Sequence, residues 1–283
     1  MRGAAVRGDA AVTPSWQVGV WSVPLHDLFV VLGALVGLAV YVAEARRRGM
    51  ADRAHLLVAA GALVGGVALA KGATTWRYLL TVDDPSVLGV LAYGGKSILG
   101  GLFGAYAGAE VTKKLVGIHH STGDLFAPAV PAAMAVGRIG CLLTEPLGTP
   151  TSLPWGVALS AEQADAVAGC DTACLLPSHP THAYEIGFHV MSLVAVLALR
   201  DRLHKRGMMF TVWLLAYGTF RFASEFLRTN PDLVGPLSGS QVFLLVTVPL
   251  LAWRLVRTWR SGLLRPPAVG VGTGIDVGVG VGS

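Results

Sequence analysis

Residues 25–48 read LHDLFVVLGALVGLAVYVAEARRR, an apolar run that ends in three consecutive arginines. A helix needs about 20 mostly apolar residues to cross the hydrocarbon core of a bilayer, and this run has that length. It is too long and too far along the chain for a signal-peptide core, and no small-residue cleavage site follows it. The run therefore predicts a membrane-spanning helix over Leu25–Ala45 whose basic end faces the cytoplasm.

The composition of the whole chain agrees with a lipid environment. Of its 283 residues, 53% are hydrophobic and 14% are charged, and the mean hydropathy is +0.59. Soluble domains carry about 25% charged residues, so this chain lacks the charge to cover a water-facing surface. Its 36 glycines are also typical of membrane bundles, in which small residues let helices approach closely. The composition therefore favours a membrane protein over a soluble one.

Six further apolar runs follow the first. They predict an all-α, polytopic membrane protein with about seven transmembrane helices and an external segment that is either a loop or a small head. This segment, which we call the head, is 145–181, which contains five prolines and neither Lys nor Arg. We expect a disordered N-terminus over 1–20, a transmembrane domain over 21–262, and a disordered, Gly- and Val-rich tail over 263–283. The further spans are Leu56–Thr75, Ser97–Val116, Leu125–Leu143, Ala183–Leu199, Met208–Phe226 and Gln241–Val256.

The formal net charge of +5 reports topology rather than nucleic-acid binding. Lys and Arg occur in four clusters, each at the end of an apolar run, and alternate loops are nearly free of them. This is the positive-inside pattern of membrane proteins, in which basic loops stay in the cytoplasm. It predicts an external N-terminus and a cytoplasmic C-terminus, with contacts to membrane lipids and none to nucleic acid. The clusters are Arg46–Arg48 with Arg53, Lys113–Lys114, Arg200–Arg206 and Arg254–Arg265.

Two of the three cysteines, Cys170 and Cys174, lie four residues apart in the external segment. The sequence leaves two interpretations open, a small disulfide in an oxidising compartment or a pair of free thiols. A metal site would need more ligands than these two residues. Cys141, near the outer end of the fourth span, is interpreted as a small buried hydrophobic residue.

Two arginines lie inside apolar spans, Arg138 in the fourth and Arg221 in the sixth. A charge within the bilayer is costly and arginine cannot lose its proton, so each arginine needs an anion. Glu225 follows Arg221 by four residues and precedes Arg228 by three, which puts these residues on one helix face. Glu225 is the only nearby counter-charge evident in the sequence. We therefore expect one of the two intramembrane arginines to remain short of an internal anion.

Two interpretations of the intramembrane arginines stay open. The first is a structural ladder of ion pairs within the bundle. The second is an anion site in which Arg138 and Arg221 converge on one phosphate and lie within about 10 Å of each other. Gly137 and Gly140 favour the second interpretation, because residues without a Cβ let a ligand or backbone come close to the guanidinium of Arg138.

Two weaker patterns lie near the ends of other spans. The glycines of Gly100–Gly104 are interpreted as helix-packing positions at the start of the third span. His179, His182, Tyr184 and Glu185 open the fifth span at the external interface. They are either interfacial surface residues or part of a functional site at the mouth of the bundle, and their spacing predicts no metal.

These residues stand in segments that resemble the prolipoprotein diacylglyceryl transferases of bacterial inner membranes. The resemblance runs through roughly residues 94–250, which is most of the membrane region. Several matches in the same order are more specific than any one of them alone. The matching segments are Gly100–Gly104, Gly123–Pro131 continuing to Gly137–Gly140, His179–Thr181 with Tyr184–Glu185, and Tyr217–Arg228.

The resemblance implies a seven-helix fold in the bacterial inner membrane, a reaction, and no metal or other cofactor. Members of the family move a diacylglyceryl group from phosphatidylglycerol to the thiol of a lipobox cysteine in a preprolipoprotein signal peptide, and glycerol phosphate leaves. Arg138 and Arg221 are expected to be catalytic, because fixed cations stabilise the departing phosphate. The residues expected to bind substrate are Arg138, Gly140, Glu145, Gly148, His179, His182, Tyr184, Glu185, Glu225 and Arg228.

The chain departs from the family pattern where the site handles protons. Leu99 stands where the family has a histidine, and Cys141 stands where it has an asparagine. If another histidine replaces the missing base, His182 at the start of the fifth span is the better candidate. Three functions remain open: a transferase with a modified site, a paralogue that transfers a lipid or phospho-alcohol group to another acceptor, and a non-enzymatic phospholipid-binding protein. Retention of the anion-handling residues favours the first.

Overall fold

The all-α fold predicted from the sequence is confirmed by a computed structural model of the chain. Each of the seven predicted spans coincides with a long helix. Within the described part of the chain, strands are confined to two short antiparallel hairpins. The structure describes residues 15–18, 21–81, 97–167, 170, 172–203 and 205–261.

The described part of the head contains one short helix, between the fourth and fifth long helices. A turn of 3₁₀ helix, Thr172–Leu175, also lies in the head. Another, Glu225–Leu227, directly follows the sixth long helix. In chain order the elements are β1 Ser15–Val18, β2 Trp21–Pro24, α1 Leu25–Arg47, α2 Arg53–Thr81, α3 Ile98–Leu115, α4 Gly123–Thr144, α5 Ala161–Ala166, α6 Thr181–Leu199, α7 Met208–Ser224, β3 Asp232–Val234, β4 Leu237–Ser238 and α8 Gly239–Arg260.

Among the described residues, five helices are long and apolar enough to cross a membrane, namely α1, the part of α2 over Arg53–Ala73, α4, α6 and α8. Helix α3 has 18 residues but carries charged side chains in its last turns, and α7 has 17 residues before its 3₁₀ extension. Large apolar side chains face outward, as at Val64 and Leu115, which are 69% and 80% exposed. An outward apolar surface of this kind suits lipid rather than water, and the chain is a polytopic membrane protein.

The predicted boundaries of the disordered termini need one correction. Residues 15–18 of the segment 1–20 are not disordered but form strand β1, which pairs with β2. Apolar Trp16 and Val18 alternate with polar neighbours there, which is the pattern of a strand. Residues 1–14 and 19–20, like the tail over 263–283, lie outside the described residues.

The segment 145–181 is a folded head rather than an open loop. Ser178 forms isolated β-bridges with Pro150 and Val157. Cys170 and Cys174 form a disulfide with a Cα–Cα distance of 5.8 Å. The disulfide interpretation of this cysteine pair is therefore confirmed.

Glycines let the helices of the bundle approach backbone to backbone. Helix α4 contacts α1, α6 and α7, and a Cβ on Gly33 of α1 would lie 2.6 Å from the carbonyl oxygen of Ala133 in α4. Helices α2 and α3 form a second close pair, in which a Cβ on Gly104 would collide with the backbone of Gly65. Close contact through small residues is the usual packing of membrane helices, and the packing interpretation of Gly104 is confirmed.

Asp124 joins the starts of α4 and α7. Its buried carboxylate accepts hydrogen bonds from the backbone N–H of Gly207 at 2.8 Å and of Met209 at 3.2 Å. These donors lie at the N-terminus of α7, where amides lack intrahelical partners and the helix dipole favours an anion. The two helices therefore begin at the same end of the bundle and run in the same direction.

A second carboxylate gathers basic residues at this end of the bundle. Glu44, near the end of α1, forms ion pairs with Arg47 at 2.7 Å, Arg48 at 2.6 Å and Arg200 at 2.7 Å. The first and third basic clusters of the sequence therefore meet at one end, as the positive-inside pattern requires of loops on the same side. That this end faces the cytoplasm stays a prediction.

Candidate active site

The two intramembrane arginines converge on one glutamate. Arg138 of α4 and Arg221 of α7 are buried, with 3% and 5% of their surface exposed, and Glu185 of α6 is 0% exposed. Arg138 Nη2 forms an ion pair with Glu185 Oε2, and Arg221 Nη1 lies 3.9 Å from Glu185 Oε1. The predicted convergence of the two guanidinium groups is therefore present, since one carboxylate lies between them.

The expectation that one arginine lacks an internal anion is wrong. Arg138 is paired with Glu185, while Arg221 pairs with Glu225 one turn along its own helix. The second pair follows from the i,i+4 spacing in the sequence. The first joins two different helices, so spacing along the chain gave no signal for it.

Arg228 brings a third guanidinium to the same place. Its Nη1 lies 3.2 Å from Glu185 Oε1, and its Nη2 lies 3.9 Å from Glu145 Oε2. Burial and the nearby charge of Arg221 lower the pKa of Arg228 below its ordinary value. Three arginines thus face three carboxylates and their formal charges cancel. We call this group the arginine–glutamate cluster: Arg138, Arg221, Arg228, Glu145, Glu185 and Glu225.

Hydrogen bonds from outside the long helices hold Glu225 in place. Its Oε1 accepts from Ser238 Oγ at 2.7 Å and from Asn230 Nδ2 at 2.9 Å, while Oε2 faces Arg221. Ser238 is also the N-cap of α8 and forms a capping box with Gln241. The start of α8 and the hairpin before it therefore position this end of the arginine–glutamate cluster.

A polar cavity of about 250 Å³ opens beside the arginine–glutamate cluster. Burial raises the pKa of Glu145, which lines the cavity, but a hydrogen bond with His26 and the charges of His182 and Arg138 hold it at about 2. Glu145 is therefore anionic at neutral pH. Small-ligand pockets usually hold about 300–1,000 Å³, so this cavity has room for a headgroup rather than a whole lipid. It is lined by Glu145, Pro146, Leu147, Thr181, Arg228, Thr229 and Asn230.

The two histidines predicted near the site lie in different surroundings. His182 is wholly buried, and its Nε2 lies 3.4 Å from Glu145 Oε2. His179 Nδ1 instead lies 3.2 Å from the hydroxyl of Tyr184, which accepts a hydrogen bond from Trp155 Nε1 at 2.9 Å. His182 therefore borders the arginine–glutamate cluster, while His179 and Tyr184 form a separate group on the head.

Gly140 and Gly148, both predicted to bind substrate, are positions of close backbone approach. A Cβ on Gly140 would lie 3.0 Å from the carbonyl oxygen of His26. A Cβ on Gly148 would collide with the carbonyl oxygen of Leu227, and its N–H donates to the carbonyl oxygen of His179 at 2.8 Å. Both glycines thus let other segments pack closely around the site.

The sequence did not predict that Cys141 and His26 both belong to the surroundings of Arg138. Cys141 is buried as predicted, but its Sγ accepts a hydrogen bond from Arg138 Nη1 at 3.6 Å. The same sulfur lies 3.9 Å from Nε2 of His26 in α1, a residue that the sequence did not single out. The spacing of Cys141 and Glu145, four residues apart at a helix end, was the available signal that both belong to one face.

His189 of α6 is a buried residue that the sequence did not single out. It is 0% exposed and lies one turn after Glu185 on α6. Its ring packs against Tyr217 and Trp213, with ring centroids 5.0 Å and 6.2 Å away. An ionisable residue at i+4 from a site glutamate inside an apolar span is the signal that would have identified it.

The fold and the site define a polytopic membrane protein that buries a charge-balanced group of arginines and glutamates between its helices. The chain belongs to the prolipoprotein diacylglyceryl transferase family, whose model matches residues 14–257. The match covers most of the chain, including every helix of the site.

Individual relatives carry a more specific name over a shorter stretch. The chain is similar to phosphatidylglycerol–prolipoprotein diacylglyceryl transferases from Cereibacter sphaeroides, 38% identical over 49% of both chains, and from Bordetella avium, 30% identical over 56% of this chain and 57% of the relative. A Clostridioides difficile protein of the same name is 26% identical over 79% of this chain and 86% of its own. The chain thus spans only about half the length of the first two relatives.

Proposed function

We propose that this chain transfers a diacylglyceryl group from phosphatidylglycerol to the thiol of a lipobox cysteine in a preprolipoprotein, in the inner membrane of a bacterium. The observation that carries the proposal is the convergence of Arg138, Arg221 and Arg228 on the carboxylate of Glu185. Permanent cations gathered within a membrane bundle provide the chemistry that an anionic lipid headgroup requires.

The proposed reaction increases the negative charge on the donor phosphate. The acceptor thiol loses its proton, its sulfur bonds to the glyceryl carbon, and the bond between that carbon and the phosphate oxygen breaks. Glycerol phosphate leaves with the electron pair of that bond, so a singly charged diester becomes a doubly charged monoester. Fixed guanidinium groups in a low-dielectric site stabilise such developing charge. Arg138 and Arg221 are assigned this role.

The arginine–glutamate cluster retains donors for a phosphate although its formal charges cancel. Among the described residues, Nε of Arg138 has no hydrogen-bond partner. Nη2 of Arg228 is 3.9 Å from Glu145, too far for a hydrogen bond. A phosphodiester would satisfy donors that the protein leaves incompletely bonded, and the planar fork of Arg138 suits two phosphate oxygens. The adjacent cavity has room for the glycerol headgroup.

His182 is assigned the removal of the thiol proton in place of the family histidine that is Leu99 here. Its Nε2 lies 3.4 Å from Glu145. A carboxylate beside an imidazole orients the ring and stabilises the imidazolium formed when it takes a proton. His182 directly follows Thr181, which lines the cavity together with Glu145.

The closed pair between Arg138 and Glu185 favours a second candidate function. If that pair serves only to hold α4 against α6, the chain binds phospholipid without transferring any part of it. The absence of the family histidine at position 99 agrees with this alternative. The two functions differ in whether a thioether forms.

A transfer assay separates the two functions. The purified chain is placed in vesicles that contain phosphatidylglycerol, with a synthetic peptide bearing a lipobox cysteine, and peptide mass and released glycerol phosphate are measured. We expect the peptide to gain one diacylglyceryl group for each glycerol phosphate released, and a peptide with Ser for Cys to stay unchanged. Lipid binding without a mass change would support the second candidate. Modification by a different group would support a paralogue with another acceptor chemistry.

A further inference from the structure

A nitrogen, a sulfur and an oxygen ligand meet at the outer end of the α1–α4 contact. His26 comes from the first turn of α1, Cys141 from the last turn of α4, and Glu145 directly follows α4. Their ligand atoms all lie within 4.8 Å of one another. We propose that His26 Nε2, Cys141 Sγ and a carboxylate oxygen of Glu145 bind a thiophilic divalent cation of the zinc class.

The distances among the three side chains are close to those around a bound metal. With tetrahedral angles and usual zinc bond lengths, a nitrogen and a sulfur ligand lie about 3.6 Å apart and a nitrogen and an oxygen ligand about 3.3 Å apart. His26 Nε2 is 3.9 Å from Cys141 Sγ and 3.5 Å from Glu145 Oε1. Small side-chain rotations therefore suffice to close the site. A mixed S, N and O donor set is one that zinc accepts readily.

Neighbouring residues fix the orientation of His26. Its Nδ1 lies 3.2 Å from Oδ1 of Asp27. An Nδ1–H that donates to a carboxylate leaves the lone pair on Nε2, which is the nitrogen that faces Cys141 and Glu145. A carboxylate, a histidine and a metal in this order are the usual outer-sphere arrangement of zinc sites. The close approach at Gly140, described above, holds the start of α1 against this end of α4.

The charges around the three ligands suit a cation together with an anionic lipid. The arginine–glutamate cluster is formally neutral, so a Cys141 thiolate gives the region a charge of −1. A divalent cation changes this to +1, and a phosphodiester restores neutrality.

The three proposed ligands adjoin the polar cavity through Glu145. Glu145 lines that cavity, and His182 Nε2 lies 3.4 Å from its other carboxylate oxygen. Three protein ligands and an open position are typical of catalytic rather than structural zinc. The ligand that would take the open position is the acceptor cysteine, and this assignment rests on the proposed function. A metal holds a bound thiol as its thiolate. Metal binding itself does not depend on that function.

Cobalt(II) titration of the purified, untagged full-length chain tests the site, because cobalt bound to thiolate gives a charge-transfer absorption band. After treatment with chelator, we expect the band to saturate at one cobalt per chain and to disappear when zinc is added. Cys141→Ser should abolish the band, and Asp27→Asn should weaken binding about 10- to 100-fold, as loss of an outer-sphere partner does. The double variant Cys170→Ser, Cys174→Ser removes only the disulfide and should bind as the parent does.

The site is ruled out if wild-type protein gives no thiolate band, or if the band survives Cys141→Ser. Saturable wild-type binding that zinc displaces is informative even if Cys141→Ser fails to fold. The titration contains no lipid substrate, so its result is separate from the transfer assay. An inactive chain that binds cobalt through Cys141 would overturn only the proposed function. An active chain without the cobalt band would overturn only the metal site.

Discussion

Nη1 of Arg228 lies 3.2 Å from Oε1 of Glu185, so a residue beyond the end of α7 completes an ion-pair network among helices. The same glutamate pairs with Arg138 of α4 and lies 3.9 Å from Arg221 of α7. A single buried carboxylate on α6 is therefore the shared anion of three guanidinium groups from three other segments.

Glu185→Gln should destabilise the bundle by about 3–5 kcal/mol, because breaking a buried ion pair leaves uncompensated buried charge. Reversible unfolding in detergent measures this change. Asp201→Asn is the matched control, since its side chain is 71% exposed and that of its partner Arg47 is 33% exposed, and such pairs contribute about 1 kcal/mol or less. Equal effects of the two substitutions would mean that Glu185 is not the anion on which the network depends.

If the proposed function holds, Arg138→Lys should lower the rate of diacylglyceryl transfer by about 100-fold or more, because an ammonium keeps the charge but not the planar guanidinium that contacts Glu185 and Cys141 and retains its Nε–H for the phosphate. The transfer assay measures this rate. Arg260→Lys, at the exposed end of α8, makes the same change away from the site and should leave the rate unaltered. Full activity of Arg138→Lys would assign Arg138 a structural role only.

Gly148→Ala should impair folding of the head onto the bundle. The added methyl group would collide with the carbonyl oxygen of Leu227 and lie 3.0 Å from that of His179. Gly187→Ala is the control, because a Cβ there meets nothing within 4 Å and alanine favours a helix by about 1 kcal/mol. We expect a lower unfolding temperature for the first variant and an equal or higher one for the second. The reverse order would contradict the packing described for Gly148.

The ionised carboxyl of Glu145 should stabilise the fold most at neutral pH. Its pKa is about 2 in the folded chain and about 4.3 in an unfolded one, so the contribution is complete above about pH 5 and is lost as the pH falls toward 2. Because the side chain is 36% exposed, solvent screening reduces the expected contribution to about 1 kcal/mol. The measurement is the difference in unfolding free energy between the parent and Glu145→Gln at pH 7 and pH 3. A difference that grows at the lower pH would contradict this account.

The head is expected to be external and the end of α6 cytoplasmic, with the N-terminus outside, because basic loops stay inside. Ser152→Cys places a thiol on the exposed surface of the head, and Arg202→Cys places one just beyond α6. A membrane-impermeant thiol reagent added to intact cells should label the first variant, and the second only after permeabilisation. The opposite result would invert the topology.

The sequence predicts the helices of this fold better than the contacts between them. Apolar length identified the seven long helices that the structure describes, and i,i+4 spacing identified the Arg221–Glu225 pair. The partner of Arg138 is Glu185 on another helix, and only packing of α4 against α6 brings the two together. His26 and Cys141 are 115 residues apart for the same reason. Apolar periodicity reports where helices lie but carries no information on which faces meet.

The hydrogen bonds from Gly207 and Met209 to Asp124 hold the starts of α4 and α7 together. They thereby also fix how far along the bundle the two intramembrane arginines lie. Asp124 and Gly207 are 83 residues apart, and Arg138 and Arg221 are separated by the same interval. Each arginine therefore lies about 21 Å along its helix from the joined starts, at a rise of about 1.5 Å per residue. Inserting one residue in either helix between these points would turn its arginine by about 100° about the helix axis and away from Glu185. The interval from the joined starts to the arginine is thus constrained separately in α4 and in α7, since lengthening both helices by one residue would turn both arginines away from Glu185.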